Sequence, residues 1–384
     1  MSKQLITTRE ERGEAIAKLQ NQIQRIDENI YTVKSQAHDA EYCISRVCGE
    51  WVCECPDNKY RKVKCKHIFA VEFSLSIRAE VAITRIEPLD NLTECIYCGS
   101  SNIVKDGVRH NKYGDIQVFY CKNCSHYSTF NVGFEKMKHN PQAITSAMQL
   151  YFSGESLRNT QKSLKLLGVQ VTHKTVFMWI KKYVKLMKEY VENFQPNVSD
   201  TWRADELYVK VKGDMKYLFA LLDDETRFWI AQEVAESKYK HDARSLFALG
   251  KKLMGKKPMK IITDGLPAYH DAYMKEYWTL KGPRTEHVRH ITIRGDHNNN
   301  KMERFNGEVR DREKVMRGLK TKNTSILTGY QIFHNYIRPH QSLDGKTPSE
   351  LCGIAVQGNN KWLTLIQNAS HPTKSNTMNN PIKR

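Results

Sequence analysis

No long apolar run exists in this chain. Its longest uninterrupted one is Tyr217–Leu222, far short of the roughly 20 residues that a membrane-spanning helix needs. The opening stretch, MSKQLITTREERGEAIAKLQ, lacks the apolar segment of a secretory signal. The expected compartment is therefore the cytoplasm, where thiols stay reduced. Acid is also scarce. Asp and Glu number 42 against 60 Lys and Arg, for a net charge of +18. Such an excess calls for a polyanionic partner, and nucleic acid is the usual one. Between Lys136 and Lys188 acid almost vanishes: ten Lys and Arg stand against Glu155 alone. Cysteine, in turn, is nearly missing from the C-terminal two thirds. Nine of the ten cysteines precede residue 125, and only Cys352 follows. No internal repeat is visible.

What is there divides by composition. With 384 residues, the chain has room for two or more domains. Residues 10–29 show helical spacing, with Ile16, Leu19, Ile23 and Ile26 on one side, so 1–29 is expected as an N-terminal helix. Two cysteine-rich modules follow, at 30–86 and 90–134. Neither is large enough to build much of a core, so bound metal would have to supply folding free energy. Residues 138–195 carry helical patterns. From 198 to 355, strand-like runs (TWRADELYVKVKG, KYLFALLDD, RFWIAQEVA, KPMKIITDG) alternate with helical patterns near 239–255, 266–278, 298–314 and 322–337. That order implies a mixed α/β sheet covered by helices. Residues 356–384 read as a polar tail with one short apolar patch. The fold class is thus multidomain, α+β and α/β.

The first cysteine module contains CECPDNKYRKVKCKH. Cys53 and Cys55 form one close pair, and Cys65 with His67 forms another nine residues on. Two such pairs suit tetrahedral Zn²⁺, and the basic spacer favours thiolates. Buried free cysteines beside a surface histidine are the bland alternative. The second module has Cys95 with Cys98 and Cys121 with Cys124, a double C-x-x-C that again suits Zn²⁺. A redox dithiol pair is its alternative. Neither set leaves an open coordination position, so both Zn²⁺ sites are expected to be structural.

Within the basic block, Gly168 is a plausible helix stop and Thr172 an N-cap for the next helix. Val176, Trp179, Ile180 and Val184 then make one apolar stripe, with His173, Lys174, Lys181 and Lys182 elsewhere on the same helix. A helix-turn-helix uses this arrangement to face DNA. An ordinary helix pair with a solvated basic face is the competing reading.

Metal-dependent phosphoryl transfer needs hard carboxylate oxygens converging on divalent cations. Asp205 interrupts an apolar strand, where an unpaired acid is costly. Glu206 beside it should point to the opposite face, because strand side chains alternate. Asp264 ends a strand before a turn and helix, although Asp-Gly also makes simple turns. Asp223 and Asp224 are explained by hairpin chemistry. Glu303 sits in DHNNNKMERFNGEVRDREKVMRG. On a helix there, Asn299 and Arg310 share its face, to orient the carboxylate and to hold a phosphate. Glu308 falls on another face and reads as solvent-exposed.

Taken together, WRADE, IITDG, NNKMERFNGEVRDREKVMRGL and HNYIRPHQSLDGKTPSEL resemble the insertion-sequence DDE transposases with a retroviral-integrase-like, RNase H-like core. SGESLRNT and VTHKTVFMWI look like that family's helix-turn-helix. The first cysteine module is similar to a SWIM zinc finger, and the second to a zinc ribbon. The resemblance implies an Asp205, Asp264, Glu303 triad holding Mg²⁺ or Mn²⁺. It further implies double-stranded DNA partners (element terminal repeats and target), a homo-oligomer at synapsis, and a prokaryotic, nucleoid-associated setting. Two rival functions are a non-catalytic, domesticated DNA-binding regulator and a nuclease that cuts without joining.

Overall fold

The computed structural model describes residues 8–370, apart from 18, 20–21, 27–28, 37–39, 48, 80–82, 90–93, 112–113, 130–131, 281–283, 290–299, 317–318, 320 and 322–323. The described chain forms two compact units, Met1–Ile83 and Thr84–Arg384.

The first unit opens with α1 (Arg9–Ala17), followed by β1 (Ile23–Arg25), β2 (Ile30–Lys34), β3 (Glu41–Val47) and β4 (Glu50–Cys53). The strands form one sheet in the order β1-β2-β3-β4, antiparallel throughout. Next come α2 (Pro56–Arg61) and α3 (Lys66–Ala79). The helical spacing over 10–29 is thus realised only as far as Ala17. Ile23–Arg25 instead pairs with Tyr31–Val33. The strand satisfies the backbone of β2's otherwise open edge and lets Ile23 pack on the buried cluster of Tyr31, Val33, Ile44 and Val71. Gly13 is required where α1 meets α3, because a Cβ there would lie 2.4 Å from Phe69 Cβ.

The second unit begins at β5 (Thr84–Ile86), then a three-stranded antiparallel sheet of β6 (Ile103–Asn111), β7 (Gly114–Cys121) and β8 (Tyr127–Thr129). Three helices follow: α4 (Pro141–Phe152), α5 (Leu157–Leu166) and α6 (His173–Val191). Their starts are set by side chains. Asn140, Ser156 and Thr172 each accept a hydrogen bond from the backbone N–H three residues on. Gly168, at φ +80°, turns the chain between α5 and α6, a conformation that costs glycine little.

The central sheet contains β9 (Thr201–Val211), β10 (Asp214–Asp223) and β11 (Trp229–Ala235). Then come α7 (Lys240–Met254), β12 (Lys260–Thr263), α8 (Pro267–Glu276) and β13 (Glu286–Arg289). The strand order is β11-β10-β9-β12-β13. β9, β10 and β11 are antiparallel, whereas β12 runs parallel to β9 and β13 parallel to β12. This three-antiparallel, two-parallel sheet is the RNase H-like arrangement. β13 was not assigned from the sequence.

The remaining elements are α9 (Asn300–Met316), α10 (Ser325–Ile332), α11 (Pro348–Leu351), β14 (Ile354–Val356) and α12 (Lys361–Ser370). The apolar patch of the supposed tail is α12, which buries Trp362, Leu365 and Ile366. β14 pairs in parallel with β5, far back in the chain. α4 and α6 pack closely on α10 at Gly329, where a Cβ would approach Phe152 Cζ to 2.3 Å and Val184 Cγ2 to 2.7 Å.

Candidate active site and zinc centres

β9 and β12 run parallel, and their last paired residues are Ala204 and Thr263. The next residues are Asp205 and Asp264, so two parallel strands deliver both acids to one place. Carboxylate oxygens of Asp205, Glu206 and Asp264 all lie within 4.8 Å of one another. Asp205 Oδ1 accepts the Glu206 N–H at 2.9 Å, and Oδ2 accepts Asn306 Nδ2–H at 2.8 Å. Asp264 Oδ1 accepts the Leu266 N–H at 2.9 Å, which shapes the turn into α8. Burial, then the charges of Glu206 and Asp264, push the Asp205 carboxyl up to about 7. The donor set fits a divalent cation, because oxygens crowded this closely repel unless a positive charge lies between them.

Glu206 corrects the alternation argument. Alternation does direct its side chain to the α7 and α8 side, where Tyr269 Oη–H donates to it at 2.8 Å and Lys238 Nζ at 2.6 Å. Its carboxylate nevertheless joins the other two. β12 ends opposite Ala204, so on that edge no strand walls off the longer glutamate side chain, while β10 still pairs along the other edge through Phe219.

α9 is tied to the sheet at several positions. Lys301 Nζ donates to the Asp224 carbonyl at 2.9 Å, and Asp224 also pairs with Arg203 of β9. Asp224 is therefore an anchor as well as a hairpin residue. Asn306 binds Asp205, and the Lys210 N–H donates to Glu313 at 3.2 Å. Glu303 lies one turn before Asn306, exposed, and outside the carboxylate cluster. Arg310 is exposed on the same helix. Asn299 lies outside the described residues. Glu308 is not solvent-exposed: it is half-buried and accepts both Arg338 Nη1 and Nη2, at 2.8 and 3.2 Å. The sequence reading missed Asn306. The available signal was its position three residues after Glu303, hence one turn along the same helix.

Both cysteine sets close. The ligand atoms of Cys53, Cys55, Cys65 and His67 lie within 4.8 Å of one another, as do those of Cys95, Cys98, Cys121 and Cys124. His67 Nδ1 is 3.8 Å from Cys53 Sγ and 3.9 Å from Cys65 Sγ. The sulfur pairs Cys95–Cys124 and Cys98–Cys121 are 3.5 and 3.6 Å apart. Tetrahedral zinc with ordinary bond lengths puts ligands about 3.6–3.8 Å apart, so both sets fit that ion. Packed together, Cys65 is held down to about 4, chiefly by the Cys53 thiol donating to it, and Cys53 is pushed up correspondingly. On α6, His173, Lys174, Lys181 and Lys182 are all exposed. The apolar stripe of α6 is buried at Val176, Trp179, Ile180 and Val184. No helix among the described residues is long and apolar enough to cross a membrane.

Comparison with known proteins matches the segment that carries this site. A family model described as "DDE domain" matches residues 199–340. The transposase for insertion sequence-like element IS431mec of Staphylococcus aureus is 28% identical over 216 residues, covering 55% of this chain and 91% of that protein. The transposase for insertion sequence element IS257 in transposon Tn4003, also from S. aureus, matches with the same identity and coverage. Among solved structures, the HTLV-2 integrase catalytic core domain in complex with magnesium is 18% identical. It covers 41% of this chain and 98% of that one, at a TM-score of 0.30. Asp205 and Asp264 meet inside the matched segment, and Glu303 lies in it too. Residues 199–340 are therefore a DDE domain, and the chain is a homologue of insertion-sequence transposases.

Proposed function

We propose that the protein is a DNA transposase that binds the terminal repeats of its element, cuts a strand at each end, and joins the freed end to target DNA. The convergence of Asp205 and Asp264 at the ends of two parallel strands carries this reading. Mg²⁺, or Mn²⁺ in its place, would activate the attacking oxygen and neutralise the leaving oxygen. Asp205 and Asp264 would hold the ion, and Glu303 would join them once α9 engages DNA. In the first step, water oxygen attacks a phosphorus at the element end, and the bond to the 3′ oxygen breaks to leave a 3′-hydroxyl. In the second, that hydroxyl attacks a target phosphodiester, its proton is lost to solvent, and the displaced 3′ oxygen leaves as a hydroxyl. Arg310, exposed on α9, supports a phosphate contact, and so would Asn299 an orienting one.

His173, Lys174, Lys181 and Lys182 face the duplex in this reading, and the two zinc modules extend the grip on the terminal repeat. Cutting two ends together calls for at least two copies of the chain. The test is Mg²⁺-dependent cleavage and strand transfer on end-sequence DNA. Asp205→Ala and Glu303→Ala are expected to lose at least about a thousandfold in rate, or roughly 4 kcal/mol of barrier. Full activity of either variant would sink the triad assignment.

A further inference from the structure

We propose that Glu206 is the third carboxylate of the first divalent-cation site, beside Asp205 and Asp264, and that this site forms without Glu303. The inference rests on the transposase reading only for the reaction that the cation serves. Its grounds are four.

The Glu206 side chain is only 4% exposed, yet its oxygens share the 4.8 Å cluster with the two aspartates. A buried carboxylate in that company is costly unless a cation is shared. Tyr269 Oη–H and Lys238 Nζ each bond a different oxygen of Glu206, at 2.8 and 2.6 Å. A carboxylate has about four lone-pair positions, so two bonds fix the group without exhausting it. The charges also balance. Three carboxylates against the Lys238 ammonium leave two negative charges, which one divalent cation cancels.

Asn306 gives an independent indication. Its side chain is 4% exposed and aimed at Asp205, with Nδ2–H bonded to Oδ2 at 2.8 Å. Its Oδ1 is buried with no hydrogen-bond partner. An amide oxygen left unpaired two bonds from the nitrogen that binds Asp205 is an unsatisfied acceptor at the margin of the cluster. Glu303, by contrast, is exposed and outside the cluster.

The experiment is a Mn²⁺ titration of the full-length protein without DNA, followed by electron paramagnetic resonance of the free ion. Asp205→Asn and Glu206→Gln are expected to weaken Mn²⁺ binding by at least about tenfold. Glu303→Gln should change it by less than about threefold. Wild-type affinity in a folded Glu206→Gln protein overturns the proposal. Should that variant melt early, Lys238→Met answers the same question. Removing the competing ammonium should tighten Mn²⁺ several-fold if the cation uses Glu206, and unchanged affinity overturns it. The transposase reading fails separately, if wild-type protein with intact Mn²⁺ binding neither cuts nor joins end DNA.

Discussion

The zinc clusters and the acidic cluster are built in opposite ways. The first unit buries a small apolar group together with Cys53, Cys55 and Cys65, so its ligands are part of its core. All four of its ligands come from 15 consecutive positions, Cys53 to His67. The acidic site takes its residues from β9, the end of β12 and α9, spread over a hundred positions and set on a large separate core. Local ligand sets hold a fold together. A distributed set is held by the fold, and Glu303 on α9 stands exposed outside it.

That contrast can be broken most severely at zinc. Cys65→Ser should unfold the first unit outright, because small zinc modules draw about 10 kcal/mol or more from the ion. Limited proteolysis should then cut freely within residues 1–83 while the central sheet stays protected. Metal content should fall from about two zincs per chain to about one. Two zincs retained in Cys65→Ser would end the idea that this module is metal-built.

A smaller effect is expected where the fold holds the site. Asn306→Ala removes the bond to Asp205 but none of the acids. It should lower the turnover rate of strand transfer by about 10- to 100-fold, the range seen when a ligand's supporting partner is lost. Binding of end DNA should be unchanged. Unaltered turnover would mean that α9 does not orient Asp205.

The mildest effect concerns acid and the large core. His334 is 3% exposed, its Nε2–H donates to the Arg227 carbonyl at 3.0 Å, and its Nδ1 has no partner. Burial, then His340, lowers it from 6.5 to about 3. The folded state therefore binds fewer protons than the unfolded one. The stability from this group is present above pH 6.5 and is lost as pH falls toward 3. At pH 5 the loss is about 2 kcal/mol. Chemical denaturation followed at the nearby Trp229 should show this slope, and His334→Gln should flatten it. An unchanged slope in that variant would place the acid sensitivity elsewhere.

Much of this was legible in the residues, for identifiable reasons. Zinc ligands announce themselves by spacing, because each set falls into two close pairs. Asp205 and Asp264 were legible because an acid in or at the end of an apolar strand has few explanations. Glu206 was not. Alternation is a rule about Cβ direction, and it says nothing of where a longer side chain ends once the neighbouring strand has stopped. Asn306 was hidden because an asparagine on a polar helix looks like any surface residue until the helix docks. The extent of α1 and the burial of α12 were also illegible. In each case a partner outside the local pattern decided the outcome: the neighbouring strand β2 for residues 23–25, and the sequence-distant α4 and α6 for Trp362.

The parallel pairing of Thr84–Ile86 with Ile354–Val356 has a consequence for biosynthesis. A ribosome releases the earlier strand some 270 residues before its mate. The first unit can mature while translation continues, but the second must wait for its last strand to emerge. A prematurely terminated product would therefore keep its first folded unit without a finished second one.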